Sequence, residues 1–313
     1  MKQLMPSCWT DFQCIAGACR HSCCIGWEID IDEDTLQAYY ARTDTLGERL
    51  RSCIEPDGTP HFRLTEEERC PFLNSDNLCD IILTAGDQAL CEICAKHPRY
   101  FNVYPDCVEA GLGLCCEEAV RLLLAWDGAL TFTEKPITAM EDEEASEEYT
   151  FLRRERNRLI AALQDRSRPL SQRCAWNNNL SFEAFRELLT DLEYIDEEWH
   201  HILPLLREPE GSIDDPDPVW EKLLVCCVWR YYLMYGLQFW QESFALEFGF
   251  LSVRLLQAMF AYHRSTNGLL SDRDRIDLIR MWSSELEYSP ENLDAIAQWL
   301  SEQEETEAPT AEH

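Results

Sequence analysis

Thirteen of the sixteen cysteines in this 313-residue chain fall within its first 116 positions, at 8, 14, 19, 23, 24, 53, 70, 79, 91, 94, 107, 115 and 116. Even scatter would put about six there, and the length itself suggests about two domains. The partition sets two folding problems. The first part must find a use for thiols as dense as those in "CIAGACRHSCCIGW" (14–27), where four cysteines span 14 to 24. The second part carries only Cys174, Cys226 and Cys227. The last two sit in a helical apolar run, where free cysteine behaves as a small hydrophobe.

Disulfides are the weaker use for the dense set. "MKQLMPSCWTDF" has no apolar run after its lysine, so no export signal is read. The most apolar stretch, "LLVCCVWRYYLMYGL" (223–237), is interrupted by Arg230 and falls short of the ~20 residues of a membrane span. The expected location is cytoplasmic, where thiols stay reduced. Adjacent Cys23 and Cys24 are also awkward disulfide partners. With 27 basic against 58 acidic residues, the formal charge is −31. That balance disfavours nucleic acid and anionic membranes as partners. It suits a solvated surface or attraction of a cationic group such as lysine.

Metal binding remains. Soft thiolates select zinc, copper(I) or iron–sulfur clusters. The spacings are Cys14-x4-Cys19-x3-Cys23-Cys24, Cys70-x8-Cys79, Cys91-x2-Cys94 and Cys115-Cys116. They match neither zinc-finger pairs nor ferredoxin runs. Density points to a metal, and spacing leaves its identity open between zinc and iron–sulfur.

The expected fold is mainly α. A cysteine-rich metal domain with short strands and helices spans 1–135, and an all-helical domain spans 136–313. "WEIDID" alternates like a strand, and Asp32 or Asp34 caps a helix through about Leu50 with Leu36, Tyr39 and Tyr40 buried. "HFRL" and "CPFL" read as extended, "NSDN" as a turn, and "LCDIILTAGDQAL", "CEICAKHPRY" and 115–126 as helices. The acidic run at 141–148 reads as a linker or solvated helix start. Helices follow over 150–166, after Ser181, after Asp217-Pro218 and after Ser289-Pro290, where serine or aspartate caps and proline takes the first turn. The acidic tail from about 301 is expected to fray.

Four segments then carry a resemblance: "FQCIAGACRHSCCIGWEIDID", "CPFLNSDNLCDI", "CEICAKHPRY" and "LCCEEAVRLLL", together covering 12–124. Their order resembles the bacterial flagellin lysine N-methylase family, within the zinc- or iron-chelating cysteine-cluster proteins. The helical remainder resembles it more loosely. The resemblance implies methyl transfer from S-adenosylmethionine to lysine side chains of flagellin or another lysine-bearing protein. It also implies iron–sulfur chemistry, with a 4Fe-4S cluster held by four of Cys14, Cys19, Cys23, Cys24, Cys70, Cys79, Cys94 and Cys116. Cys8, Cys53, Cys91, Cys107 and Cys115 look additional, and Glu117 stands where the family has proline. The alternative is a zinc- or iron–sulfur-binding module without catalysis, serving as carrier, assembly factor or redox protein.

No residue is singled out as the catalytic base. A lysine ammonium has no lone pair and must first lose its proton. Trp27, Arg99 and Tyr100 flank motif cysteines and are candidates for holding the donor, with Phe101 as a further aromatic face. His21 and His97 read as supporting groups near the thiols. A Gly-rich strand–helix turn for the donor is missing, since the only G-x-G is "GLG" at 111–113. The C-x3-C-x2-C run of radical donors is missing too, because Gly26 stands at its third position. The donor is therefore held either by an open iron site or by a pocket in the helical half.

Overall fold

The computed structural model describes residues 1–137, 143–208 and 213–307. The start of the acidic run (141–142) and the tail beyond 307 lie outside the described residues. Along the chain the elements are β1 (Lys2–Pro6), β2 (Ile29–Asp30), α1 (Glu33–Ala41), α2 (Thr45–Cys53), β3 (Ile54–Glu55), β4 (His61–Phe62), α3 (Asp80–Ala85), α4 (Glu92–Lys96), β5 (Arg99–Val103), β6 (Cys107–Leu112) and α5 (Glu117–Ala125). Then come β7 (Phe132–Pro136), α6 (Glu147–Leu163), α7 (Phe182–Thr190), α8 (Glu197–Ile202), α9 (Pro218–Phe239), α10 (Phe244–Asn267), α11 (Asp272–Leu286) and α12 (Pro290–Glu307). The fold is mainly α, as the periodicity suggests.

The chain divides into two compact units. The cysteine-rich unit is Phe12–Tyr100 with Cys116–Glu118, and the helical unit is Met1–Asp11, Phe101–Cys115 and Ala119–His313.

In the cysteine-rich unit a small antiparallel sheet, ordered β2-β4-β3, pairs Ile29 and Ile54 with Phe62. Its core gathers Ile31, Tyr39, Leu50, Phe72, Cys70 and Cys91, with Trp27, Cys24, Cys79 and Cys94 packed against it. Asp32 caps α1 by accepting from the Thr35 amide at 3.0 Å. The single helix expected through Leu50 is instead two. Arg42 takes an extended backbone, and Asp44 starts α2 by accepting from Gly47 N at 2.9 Å. A second good capping residue interrupts the first helix. Tyr39 is buried but Tyr40 is exposed. "CPFL" forms no strand and contributes only an isolated bridge, Leu73 to Cys79. The turn after it is closed by Asn74, whose side chain accepts from Asp76 N and Leu78 N, and Asn77 takes a positive φ of 55°.

The helical unit holds a four-stranded sheet, ordered β5-β6-β1-β7, with β1 parallel to β6 and antiparallel to β7. The sequence reading has no counterpart for it. β6, "CVEAGL", is buried at every position and so lacks the alternation that marks a half-exposed strand. The core lies between α9 and α10. Gly249 on α10 makes this possible, since a Cβ there would meet Leu224 Cδ2 at 3.0 Å and Cys227 Cβ at 3.3 Å. Tyr231, Tyr235, Phe244, Phe248 and Trp282 fill the space with stacked and edge-on contacts. Asp217 caps α9 with Pro218 in its first turn, Ser181 caps α7, and Ser289 accepts from Asn292 N at the start of α12. α12 continues to Glu307, past the expected fraying point at 301. Among the described residues one helix, α10, is long and apolar enough to cross a membrane, and most of it is buried inside the unit as a core helix is.

Candidate functional site

All eight motif cysteines belong to the cysteine-rich unit. The loop from Phe12 to Trp27 places the first four with little regular structure. A 3-10 turn at Ala16–Ala18 separates Cys14 from Cys19, and Ala16 takes a positive φ of 48° while its amide donates to Cys14 Sγ at 3.4 Å. A backbone bond from Cys70 N to Cys24 O (2.8 Å) ties this loop to the "CPFL" segment. Cys79 precedes α3, and Cys91 stands at the N-cap of α4 with Cys94 inside it.

The thiols fall into two sets, divided between the adjacent residues Cys23 and Cys24. Cys14 and Cys116 lie close enough to Cys23 for their charges to raise its pKa, and Cys116 acts likewise on Cys19. Cys24, Cys70, Cys79, Cys91 and Cys94 form the inner set: Cys24 acts on Cys70, Cys79 and Cys94, Cys79 and Cys91 act on Cys70, and Cys91 is paired with Cys94. A thiol–thiol hydrogen bond joins Cys23 to Cys24; it pulls Cys24 down to about 7 and pushes Cys23 up. A second such bond lowers Cys91 and raises Cys94. Burial pushes Cys19 and Cys70 up to about 12.

Among the described residues no group of three or more His, Cys, Asp or Glu is set to hold a single metal ion. The donor chemistry nonetheless fits a soft metal. Nine thiols are drawn from four segments of one unit, and one thiol of each hydrogen-bonded pair leans toward the thiolate that metals require.

Two participants escape the motif-based selection. Cys91, set aside as additional, is fully buried and bonded to Cys94. Its signal was the C-x2-C spacing. Glu117, noted only as a departure from proline, holds the first loop to the start of α5. Its carboxylate accepts from Arg20 N (2.9 Å), from Arg20 Nε (3.0 Å) and from Cys19 Sγ (3.6 Å). Burial opposes its ionisation, yet the bonds from Arg20 hold it below the usual carboxylate range.

Trp27 lies beside the thiols, donating its indole N–H to Cys23 O at 2.8 Å with its ring 6.4 Å from that of His97. Burial, with Arg99 nearby, lowers His97 to about 4, so it is neutral at ordinary pH. Arg99 stacks over Phe12 at 5.0 Å, and Tyr100 is half-buried at the start of β5. Phe101 is exposed, and it belongs to the helical unit. Cys53 lies next to Ser52 Oγ, Cys107 contacts the Tyr149 hydroxyl, and Cys8 lies near Cys226 and Lys222 in the helical unit.

Comparison with known proteins places its match on the other half of the chain. Residues 177–310, from before α7 to the end of α12, match the FliB lysine N-methylase C-terminal domain. Two proteins named Lysine-N-methylase, from Salmonella choleraesuis (strain SC-B67) and Salmonella typhimurium (strain LT2), are 31% identical over 146 residues, covering 42% of this chain and 35% of each relative. A protein named Flagellar biosynthetic protein FliU, from Salmonella muenchen, is 29% identical over 137 residues, covering 42% of this chain and 81% of its own length. The alignment thus spans about a third of the length of the two methylases. No solved structure matches. Over its helices from 177 to 310, the chain is similar to the C-terminal domain of the FliB lysine N-methylases.

Proposed function

We propose that the protein is a protein-lysine N-methyltransferase that moves the methyl group of S-adenosylmethionine to lysine side chains of flagellin. The observation that carries this reading is the match of residues 177–310 to the lysine N-methylase domain. The name of the flagellar relative supports a flagellar substrate. The reaction is a displacement. The lone pair of a neutral lysine nitrogen forms the N–C bond as the methyl–sulfur bond breaks. That electron pair returns to sulfur, giving S-adenosylhomocysteine, and the methylated ammonium sheds its extra proton to solvent. Since lysine is ordinarily protonated below ~10.4, the enzyme's work is to desolvate or deprotonate it and to align it with the donor. A net charge of −31 favours approach of a cationic chain.

The resident group we propose is an iron–sulfur cluster. Cys24, Cys70, Cys79 and Cys94 would hold it, with Cys91 beside them and Cys14, Cys19, Cys23 and Cys116 forming an outer set. When bound it would supply folding free energy to loops with little regular structure of their own. Glu117 and Trp27 tie the first loop in place through their bonds to Arg20, Cys19 and Cys23.

The test is incubation of anaerobically prepared, metal-replete protein with flagellin and S-adenosylmethionine, read by intact mass. Donor-dependent gains in steps of one methyl group are expected. Iron and sulfide bound, with no gain on flagellin, would instead favour a metal-binding module without catalysis.

A further inference from the structure

The helical unit contains a cleft along α6 that neither the thiols nor the family match accounts for. An inner chamber of about 320 Å³ is walled by Leu4, Leu130, Phe132, Ile160 and Trp229, with Arg156 also lining it. An outer chamber of about 670 Å³ is lined by Asp106, Tyr149, Arg153, Arg154 and Arg158 among others. Arg153, Asn157 and Ala161 line both, so the two are adjacent along α6. These volumes are those of small-molecule sites.

The inner chamber is lined by an aromatic pair whose rings pack on one another with their planes tilted by 33°. Phe132 and Trp229 lie with ring centroids 4.2 Å apart, and the indole is fixed by donating to Ala110 O at 3.3 Å. Behind it Arg156, only 1% exposed, stacks 4.5 Å from the Trp229 centroid and forms two bonds to buried Glu109, of 2.5 and 2.7 Å. Its Nε has no hydrogen-bond partner among the described residues. A buried N–H in that state is an unmet demand for an acceptor. The outer chamber is different. Arg153 bonds Asp106 at 2.5 Å, and Arg154 and Arg158 both bond Glu155. Unpaired arginines would select a polyanion. Paired ones present alternating charge, which suits a molecule carrying both signs.

We propose that this cleft holds the methyl donor, an aromatic nucleoside bearing a zwitterionic amino-acid tail. The idea rests on the methyltransferase reading. The base lies in the inner chamber against Phe132, where Arg156 is also part of the lining. The carboxylate of the tail is bound by Arg153 or Arg158, and its ammonium by Asp106. The paired outer chamber also tolerates the donor's sulfonium, which unpaired arginines would repel.

The test is calorimetric titration of the full chain with S-adenosylhomocysteine. Ala161 is exposed and lines both chambers. Ala161→Trp should plug the cleft and abolish binding, while Ala161→Ser should bind as the parent does, with helical circular dichroism unchanged in both. Arg153→Ala should weaken binding by about tenfold or more, the loss of a charge-assisted bond. Parent-like binding by both Ala161→Trp and Arg153→Ala would overturn the location and leave the methyltransferase reading standing. No binding of the probe by the parent protein would overturn both. Tighter binding of adenosine triphosphate than of the probe would assign the cleft to a polyanion and overturn the proposal.

Discussion

The dipeptide Cys-Cys has opposite surroundings in the two units. Cys226 and Cys227 sit on α9, both buried, and burial pushes both thiols well above their ordinary values. Gly249 packs closely against Leu224 and Cys227, so that a methyl group there would meet both at 3.0–3.3 Å. Cys23 and Cys24 sit in an irregular loop and are hydrogen-bonded to each other, and Cys24 is drawn down to about 7. A core helix uses sulfur for its volume. A loop tied to several segments turns its thiols toward one another and toward other thiols. Adjacency in sequence therefore carries no chemistry of its own, and the backbone that holds the pair decides.

The sharpest way to break this contrast is to replace a cysteine on each side. With the proposed cluster in place, Cys24→Ser or Cys70→Ser should lose its iron and most of the stability of the cysteine-rich unit, on the order of 10 kcal/mol where metal binding is folding energy. Cys226→Ala should keep the iron, as measured by metal and sulfide content beside thermal denaturation. Equal iron loss in both would end the distinction.

A smaller effect belongs to the helical unit. Arg156→Ala leaves Glu109 as an unpaired buried carboxylate, and should destabilise by about 3–5 kcal/mol in denaturant titration without loss of iron.

The helical unit has its own group titrating near neutrality, and it is not a thiol. Burial raises Glu285 to about 7, although its carboxylate accepts from Ile195 N and Asp196 N. Unfolded, it would titrate near ~4.3. The folded state thus holds a proton that the unfolded state releases. The associated stability is complete below about pH 4 and is lost as pH rises through 7, by about 4 kcal/mol in all. Glu285→Gln should flatten that slope, and an unchanged slope would show that another group sets it.

The smallest effect tests packing. Gly249→Ala should cost about 1–3 kcal/mol by overpacking against Leu224 and Cys227. Leu224→Ala should lessen the added cost of Gly249→Ala when the two are combined, because it removes the Cδ2 that a Cβ would meet at 3.0 Å; Cys227→Ala should not, since the Cβ at 3.3 Å remains.

What could be read from the sequence followed local rules. Ser181, Asp217-Pro218 and Ser289-Pro290 mark helix starts because capping needs only neighbouring atoms, and the three helices begin there. Asp44 obeys the same rule, yet its cap was hidden inside an apparently continuous helical pattern. The four-stranded sheet was not legible, since β1 finds β6 over a hundred residues later and β6 has no exposed face to give it a period. The cysteine density marked one region of the chain, but not that the chain leaves the helical unit at Phe12 and returns to it at Phe101. Nor could spacing separate Cys23 from Cys24, because their assignment to different thiol sets is made by residues 70–94 and 116. The α6 cleft was invisible for the same reason: its walls come from β1, β7, α6 and α9.

The central claim is that the thiol-bearing unit serves a methyltransferase. It is tested most directly by mass analysis of flagellin after incubation with the donor and, in parallel, with the parent protein, Cys24→Ser and Cys226→Ala. The account predicts methyl-sized gains with the parent and with Cys226→Ala, and none with the iron-depleted Cys24→Ser. Flagellin left unmodified by an iron-replete parent, or methylated equally by all three, would contradict it.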